Sequence, residues 1–459
     1  MMHGADGSGS TMARYATGGW SRLRWRAVLA VLALVAAACG GGGGEQAAGG
    51  ACDGTVEGPV TIQVWFHSGQ GSERETIEQQ VQAFNDSQED VQAELTLLPE
   101  GNYNEQVQAA AASGDLPDVL DFDGPFLYNY AWSGHLQPVD ACMDDEFESR
   151  LLPSIVEQST YADALYGIGT FDSGLGLFTR QSILEDNDIR IPDGWDDAWT
   201  AEEFTEVATT LRDAGYDKPL DLKINYGQTE WYTYGFSPIV QSAGGDLINR
   251  DDFQSAEGVL NSEASVAALE TFQSWFNDDL VDFNEDDAAF LDGRSAISWA
   301  VHNSYPPYSE AFDDVVVLPL PDFGQGARTG QGSWQWGIPA SAQDADASWA
   351  FIDFLMRDEE VVRMSDANGA PPATQPAVEA SQTYTQDSPL WLFVEALEGD
   401  ASVARPQTPA YPIITSAFQQ AIGTIIDGGD VKGALDEAVE TIDADIEQNQ
   451  GYPSPEEQG

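Results

Sequence analysis

The stretch Val60-Thr61-Ile62-Gln63-Val64-Trp65-Phe66-His67 places apolar Val60, Ile62, Val64 and Phe66 at every second position, the period of a strand with one buried face. Directly downstream, Ser72-Glu73-Arg74-Glu75 has the form of a capping box, and Ile77, Val81 and Phe84 fall on one helical face. A second strand is expected through Val91, Ala93, Leu95 and Leu97, a helix over 103–112, and a short apolar strand over 119–122. The order β-α-β-α-β defines an open, parallel α/β sheet, whose ligands sit beyond the carboxyl ends of the strands. The segments that follow the first and third strands, 67–73 and Asp123-Gly124, are therefore where function is expected.

Beyond this unit, Thr200-Ala201-Glu202-Glu203 is another capping box, with Phe204, Val207 and Leu211 on one face of the helix it opens. Val266, Leu269, Phe272 and Phe276 mark a further amphipathic helix, and Trp349, Ile352, Leu355 and Met356 another. Strand-like pieces at 296–301 and 315–320 lie between them, so the chain is expected to cross between lobes more than once. At 459 residues it exceeds one ordinary core, which favours two lobes or one large α/β enzyme. A hydrophobic fraction of 42% with 10% aromatics is a folding composition, not a disordered one.

Eighteen Lys plus Arg against 77 Asp plus Glu give a formal net charge of −59, which repels nucleic acid and excludes it as a partner. Such a surface is what concentrated salt would select, because screening then removes the self-repulsion; a halophilic source is expected, with a merely acidic secreted protein as the alternative. The N-terminus reads as an export signal over 1–38: Arg14, Arg22, Arg24 and Arg26 precede an apolar run from Ala27 to Ala38, too short for a membrane span of about 20 residues. Leu34-Val35-Ala36-Ala37-Ala38-Cys39 resembles the lipobox of bacterial lipoproteins, which makes Cys39 the lipidated residue and 39–52 a Gly/Ala-rich tether. Cys52 and Cys142 then remain as a possible disulfide outside the cytoplasm, or as two buried thiols. The four His residues are scattered, and neither a metal nor a cofactor is expected.

Eight stretches, in order, resemble the extracellular sugar-binding proteins of ABC importers, the family 1 solute-binding class that includes the maltose and trehalose/maltose binders. They include Thr61–Phe66 leading through Gly69 and Gly71 to Glu73, Gly114-Asp115-Leu116-Pro117-Asp118-Val119, Ser242-Ala243-Gly244-Gly245-Asp246-Leu247, Phe290–Ile297, Gly332–Ile338 and Arg405–Tyr411. The resemblance implies a two-lobe, hinged, periplasmic-binding-protein-like α/β fold of the class II type, each lobe a mostly parallel sheet flanked by helices. It assigns 53–170 plus 295–335 to lobe 1 and 171–294 plus 336–448 to lobe 2; the tail 449–459 is polar and is expected to fray. It implies a monomer, lipid-anchored at the outer face of the cytoplasmic membrane, that captures a mono- or oligosaccharide and hands it to the permease subunits without bond chemistry.

A sugar offers hydroxyls around a ring with apolar faces, so its site needs carboxylates and Arg at the edges and aromatic planes above and below. By the motif matches, Glu73, Asp123 and Asp172 are the candidate carboxylates. Trp334 and Trp299 are the candidate stacking rings, His302 lies on the same return segment as Trp299, and Trp231 beside Tyr232 is a candidate opposing face. Arg405 matches a position that reaches or braces the cleft. For each Trp the competing expectation is ordinary core packing. A glycoside hydrolase is the rival from another class, and a peptide or polyamine is the rival ligand; with 77 carboxylates, counting acids decides neither.

Overall fold

The computed structural model describes residues 52–454 apart from Asp53, Glu57, Gln70 and Gly71; the expected export signal (1–38) and the lipidation site Cys39 lie outside the described residues. The opening stretch forms β1 (Val60–His67), which pairs in parallel with β2 (Val91–Leu98) in the register Val60 to Val91 through His67 to Leu98, and with β3 (Val119–Asp123). Ile62, Val64 and Phe66 are buried as their alternation requires. The helix Glu73–Ser87 follows, but without the expected capping box: Ser72 Oγ instead donates to the Ala367 carbonyl at 2.6 Å. At Thr200 the box does form, with both reciprocal bonds, and opens the helix Ala201–Asp213.

A second sheet is built from β4 (Leu175–Arg180), β5 (Leu220–Asp221), β6 (Val281–Asp282), β7 (Ile297–Val301) and β8 (Val315–Leu318), in the order β8-β4-β7-β5-β6. It is mixed: the β8–β4 and β4–β7 ladders are antiparallel, and the β7–β5 and β5–β6 ladders parallel. The chain returns to the first sheet only at β9 (Trp334–Gly337), which adds antiparallel to β3 and gives the order β9-β3-β1-β2.

This corrects the expected lobe boundaries. Residues 295–318 belong with the second sheet, because Ile297–Thr179 and Leu220–Ile297 are backbone partners. Conversely, the helices Ala345–Leu355 and Asp358–Asn368 pack Phe351, Ile352, Val361 and Met364 into the core that holds Ile62, Val64 and Val119. The chain crosses back between Ala377 and Tyr384, and the closing helices Tyr411–Ile426 and Val431–Gln448 join the core around Trp199, Phe236 and Trp275. The tail is held as far as Pro453, whose carbonyl accepts from Trp132 Nε1 at 2.9 Å, while Tyr452 lies edge-on to that indole.

Cys52 and Cys142 form a disulfide that closes a 90-residue separation around the first β-α-β-α-β unit. Restricting a loop of that length in the unfolded chain is worth about 4–5 kcal/mol in the chain-entropy account. Replacing Cys142 by Ser should lower the unfolding free energy by roughly 2–5 kcal/mol in oxidising buffer. An unchanged denaturation midpoint would show that the bridge does not constrain the chain.

Candidate functional site

A cavity of about 850 Å³ opens between the carboxyl ends of β1 and β3 on one side and the helix Glu230–Ser242 on the other. Its lining includes His67, Glu73, Asp123 and Trp334 from the first lobe, and Glu230, Trp231, Tyr234 and His302 from the second. The positions follow from the fold. His67 and Asp123 are the last residues of their strands, Trp334 is the first of β9, and Glu230 opens its helix behind the N-cap Thr229.

Arg405, 5% exposed, bridges the two sides. Its Nη2 donates to Asp123 Oδ1 at 2.7 Å and its Nη1 to Asp123 Oδ2 at 3.1 Å, a two-pronged pair, while Nη1 also donates to Glu230 Oε1 at 2.8 Å. The guanidinium lies 5.0 Å from the centre of the Tyr234 ring. Burial raises the pKa of Glu230 to about 6 even though Arg405 draws it down; Tyr411, Thr415 at 2.6 Å and Gln419 also donate to its carboxylate. Gly332 supplies the backbone turn at this junction. Its φ of +110° suits glycine, and a Cβ there would come within 3.4 Å of Arg405 Nη2, whose hydrogen bond at 3.3 Å the Gly332 carbonyl accepts.

The two histidines of the cavity are held in opposite states. Burial works against charge on His67, but Asp121, 2.6 Å from Nδ1, and Glu73, 3.4 Å from Nε2, raise its pKa to about 10, so it is an imidazolium. Burial lowers the pKa of His302 to about 4, so that ring is neutral. Its Nδ1 stands 3.0 Å from the Asn368 carbonyl, which can only accept, so Nδ1 carries the proton and Nε2 keeps its lone pair. The close approach depends on Gly369, at φ +68°, where a Cβ would stand 2.8 Å from the His302 carbonyl oxygen.

Of the eight expected binding residues, Glu73, Asp123, Trp231, His302, Trp334 and Arg405 line this one cavity. Asp172 and Trp299 do not. Asp172 is fully buried, accepts from Gln158 Nε2 at 3.0 Å and from the Ser173 amide at 2.8 Å, and braces the crossing strand. Trp299 lies in the second core against Phe204, Phe236 and Trp275, its Nε1 donating to the Gly235 carbonyl at 3.1 Å. Tyr232, beside Trp231, likewise packs on Phe236. His67, Glu230 and Tyr234 were not singled out from the sequence. His67 does fall in the 67–73 segment marked by the strand-end rule, whereas nothing in the spacing of Glu230 or Tyr234 distinguishes them.

Two α/β lobes around a deep, aromatic and carboxylate-lined cavity define a cleft-type solute binder. The chain belongs to the bacterial extracellular solute-binding protein family, whose model matches residues 79–390. It is 24% identical over 328 residues to an uncharacterised lipoprotein of Streptomyces antibioticus, covering 67% of this chain and 69% of that one. It is 22% identical over 286 residues to a maltotriose-binding protein of Pyrococcus abyssi, covering 59% of this chain and 57% of the relative. The fold matches the GacH receptor of Streptomyces glaucescens, solved unliganded and with acarbose, with a TM-score of 0.73 at 19% identity over 86% of this chain and 100% of that one.

Removing one partner of a buried ion pair leaves the other charge unpaired, so Arg405→Met should destabilise the protein by about 3–5 kcal/mol in urea unfolding; wild-type stability in that variant would show that the junction contributes nothing. A second expectation concerns pH. The unfolded chain protonates His302 below about pH 6.5 while the folded protein resists until about 4, so this residue's contribution is full above 6.5 and is lost as pH falls through that window. The stability difference between wild type and His302→Gln should therefore shift against the wild type between pH 7 and 4.5. A constant difference would show that His302 titrates in the folded protein as it does in the unfolded chain.

Proposed function

We propose that this protein is the receptor of an ABC-type importer that binds a mono- or oligosaccharide in the interlobe cavity and delivers it, chemically intact, to the permease. The observation that carries this reading is the pairing of ring planes with acceptors in one cavity: Trp334 and Trp231 come from opposite lobes, with Glu73 and Asp123 at the edges. Carboxylate acceptors take shorter, stronger hydrogen bonds from hydroxyls than neutral groups do, and indole faces suit the apolar faces of sugar rings. The names of relatives point the same way, since they include a maltotriose binder and a receptor solved with acarbose. Ligand that touches both lobes shifts the population toward the closed state.

In this reading the chain is exported, cleaved before Cys39 and lipid-anchored at the outer face of the cytoplasmic membrane as a monomer, consistent with a lipoprotein among its relatives. Among the described residues no helix is long and apolar enough to cross a membrane.

Thermal unfolding of the purified protein against sugars, peptides and polyamines tests the proposal. A sugar at about 100 times its dissociation constant should stabilise the fold by roughly 2.7 kcal/mol and be recovered uncleaved. Cleaved product would make the protein a glycosidase, and stabilisation by a peptide or polyamine alone would overturn the ligand class. Trp334→Ala should weaken binding of the same sugar by roughly 10- to 100-fold, the loss expected when a buried aromatic face is removed; unchanged affinity would take Trp334 out of the site.

A further inference from the structure

We propose that His67 is the positioning residue for Trp334: a flat ring locked behind the indole, which fixes the platform before ligand arrives and leaves its opposite face for the ligand. The inference rests on the saccharide reading above for its ligand, but the geometry stands apart from it. The imidazole and indole centres are 3.7 Å apart and the planes 9° from parallel, so one face of Trp334 is covered. The Tyr103 ring meets the same indole edge-on at 5.3 Å, which blocks sideways rotation.

His67 is itself held from three directions. Asp121 Oδ2 receives both its Nδ1–H at 2.6 Å and its backbone amide at 3.3 Å, and Glu73 stands 3.4 Å from Nε2. Asp121 is anchored in turn, since the Tyr103 hydroxyl donates to its backbone carbonyl, and Glu73 accepts from Asn368 Nδ2 at 3.3 Å. Around the imidazole are thus two carboxylates, the Tyr103 phenol, the Trp334 face and the neighbouring Phe66 ring. With two buried carboxylates beside it the ring stays charged, and a cation over an indole face is attracted to its π-cloud. A stacking residue that is ordered in advance does not lose rotamer freedom on binding, which is how preorganisation raises affinity.

The test reads Trp334 itself before it reads binding. A stacked imidazolium quenches indole emission, so the Trp334 contribution, taken as the difference between each protein and its Trp334→Phe counterpart, should be small in the wild type. It should rise severalfold in His67→Ala and His67→Phe. In the wild type it should stay flat from about pH 5 to 9, whereas in Asp121→Asn, with one carboxylate gone, it should rise with pH inside that range as His67 loses its proton. Affinity for the stabilising sugar should fall roughly 3- to 10-fold in His67→Ala, with part of the loss restored by the flat ring of His67→Phe.

An unchanged Trp334 contribution in both His67 variants would overturn the pairing, and a flat profile in Asp121→Asn would overturn the part given to Asp121 in holding the proton on the ring. Altered emission with wild-type affinity would overturn the positioning role. If no sugar binds the wild type, the functional reading falls while the emission still decides whether His67 governs Trp334. Should His67→Ala not fold, His67→Phe and Asp121→Asn carry the same test.

Discussion

Arg405 is the interaction on which the arrangement of the cavity depends. It comes from the segment between the crossing at 377–384 and the closing helices, yet its two prongs reach Asp123 at the end of β3 and Glu230 at the head of a second-lobe helix. Two buried carboxylates facing each other without that guanidinium would repel across a desolvated space, and neither could remain ionised at low cost. The junction also involves local backbone: Gly332 holds a φ of +110° that favours glycine, and its carbonyl, which also accepts from Ser173 Oγ at 2.7 Å, ties the junction to the crossing strand that Asp172 braces.

Around that junction the cavity divides its chemistry. On the first lobe, a carboxylate-bound imidazolium backs an indole. On the second, a neutral imidazole keeps a lone pair on Nε2, free of the carbonyl that holds Nδ1. The same side chain thus serves as a charged support in one place and as an uncharged acceptor in another, because one sits against two carboxylates and the other against a backbone carbonyl. Arg405 is committed to carboxylates on both sides, so it offers an anionic ligand little. The remaining groups favour a donor-rich, uncharged molecule with flat apolar faces.

Much of this was legible in the chain. The alternation of 60–67 and the helical spacing after it led to β1, β2 and β3 in their parallel order, and the strand-end rule pointed at the segment that holds His67 and Glu73. What failed did so where tertiary partners decide. Ser72 has the sequence of a cap, but the Ala367 carbonyl competes successfully for its hydroxyl. The strand at 297–301 reads the same whichever sheet takes it, and pairing with β4 and β5 was invisible locally, so the return to the first lobe was expected at 295 instead of Trp334. Trp299 and Trp334 are the same residue in similar aromatic company; only the sheet each joins makes one core and the other a cavity wall. Glu230 carried no signal, because its significance lies in an Arg 175 positions away.

The most direct measurement is a crystal structure of the protein with a saccharide that stabilises it. The account predicts a sugar ring against the face of Trp334 remote from His67, its hydroxyls within hydrogen-bond reach of Glu73, Asp123 and His302 Nε2, and the Arg405 junction intact. Ligand bound elsewhere, or His67 displaced from Trp334 with the sugar in its place, would contradict it.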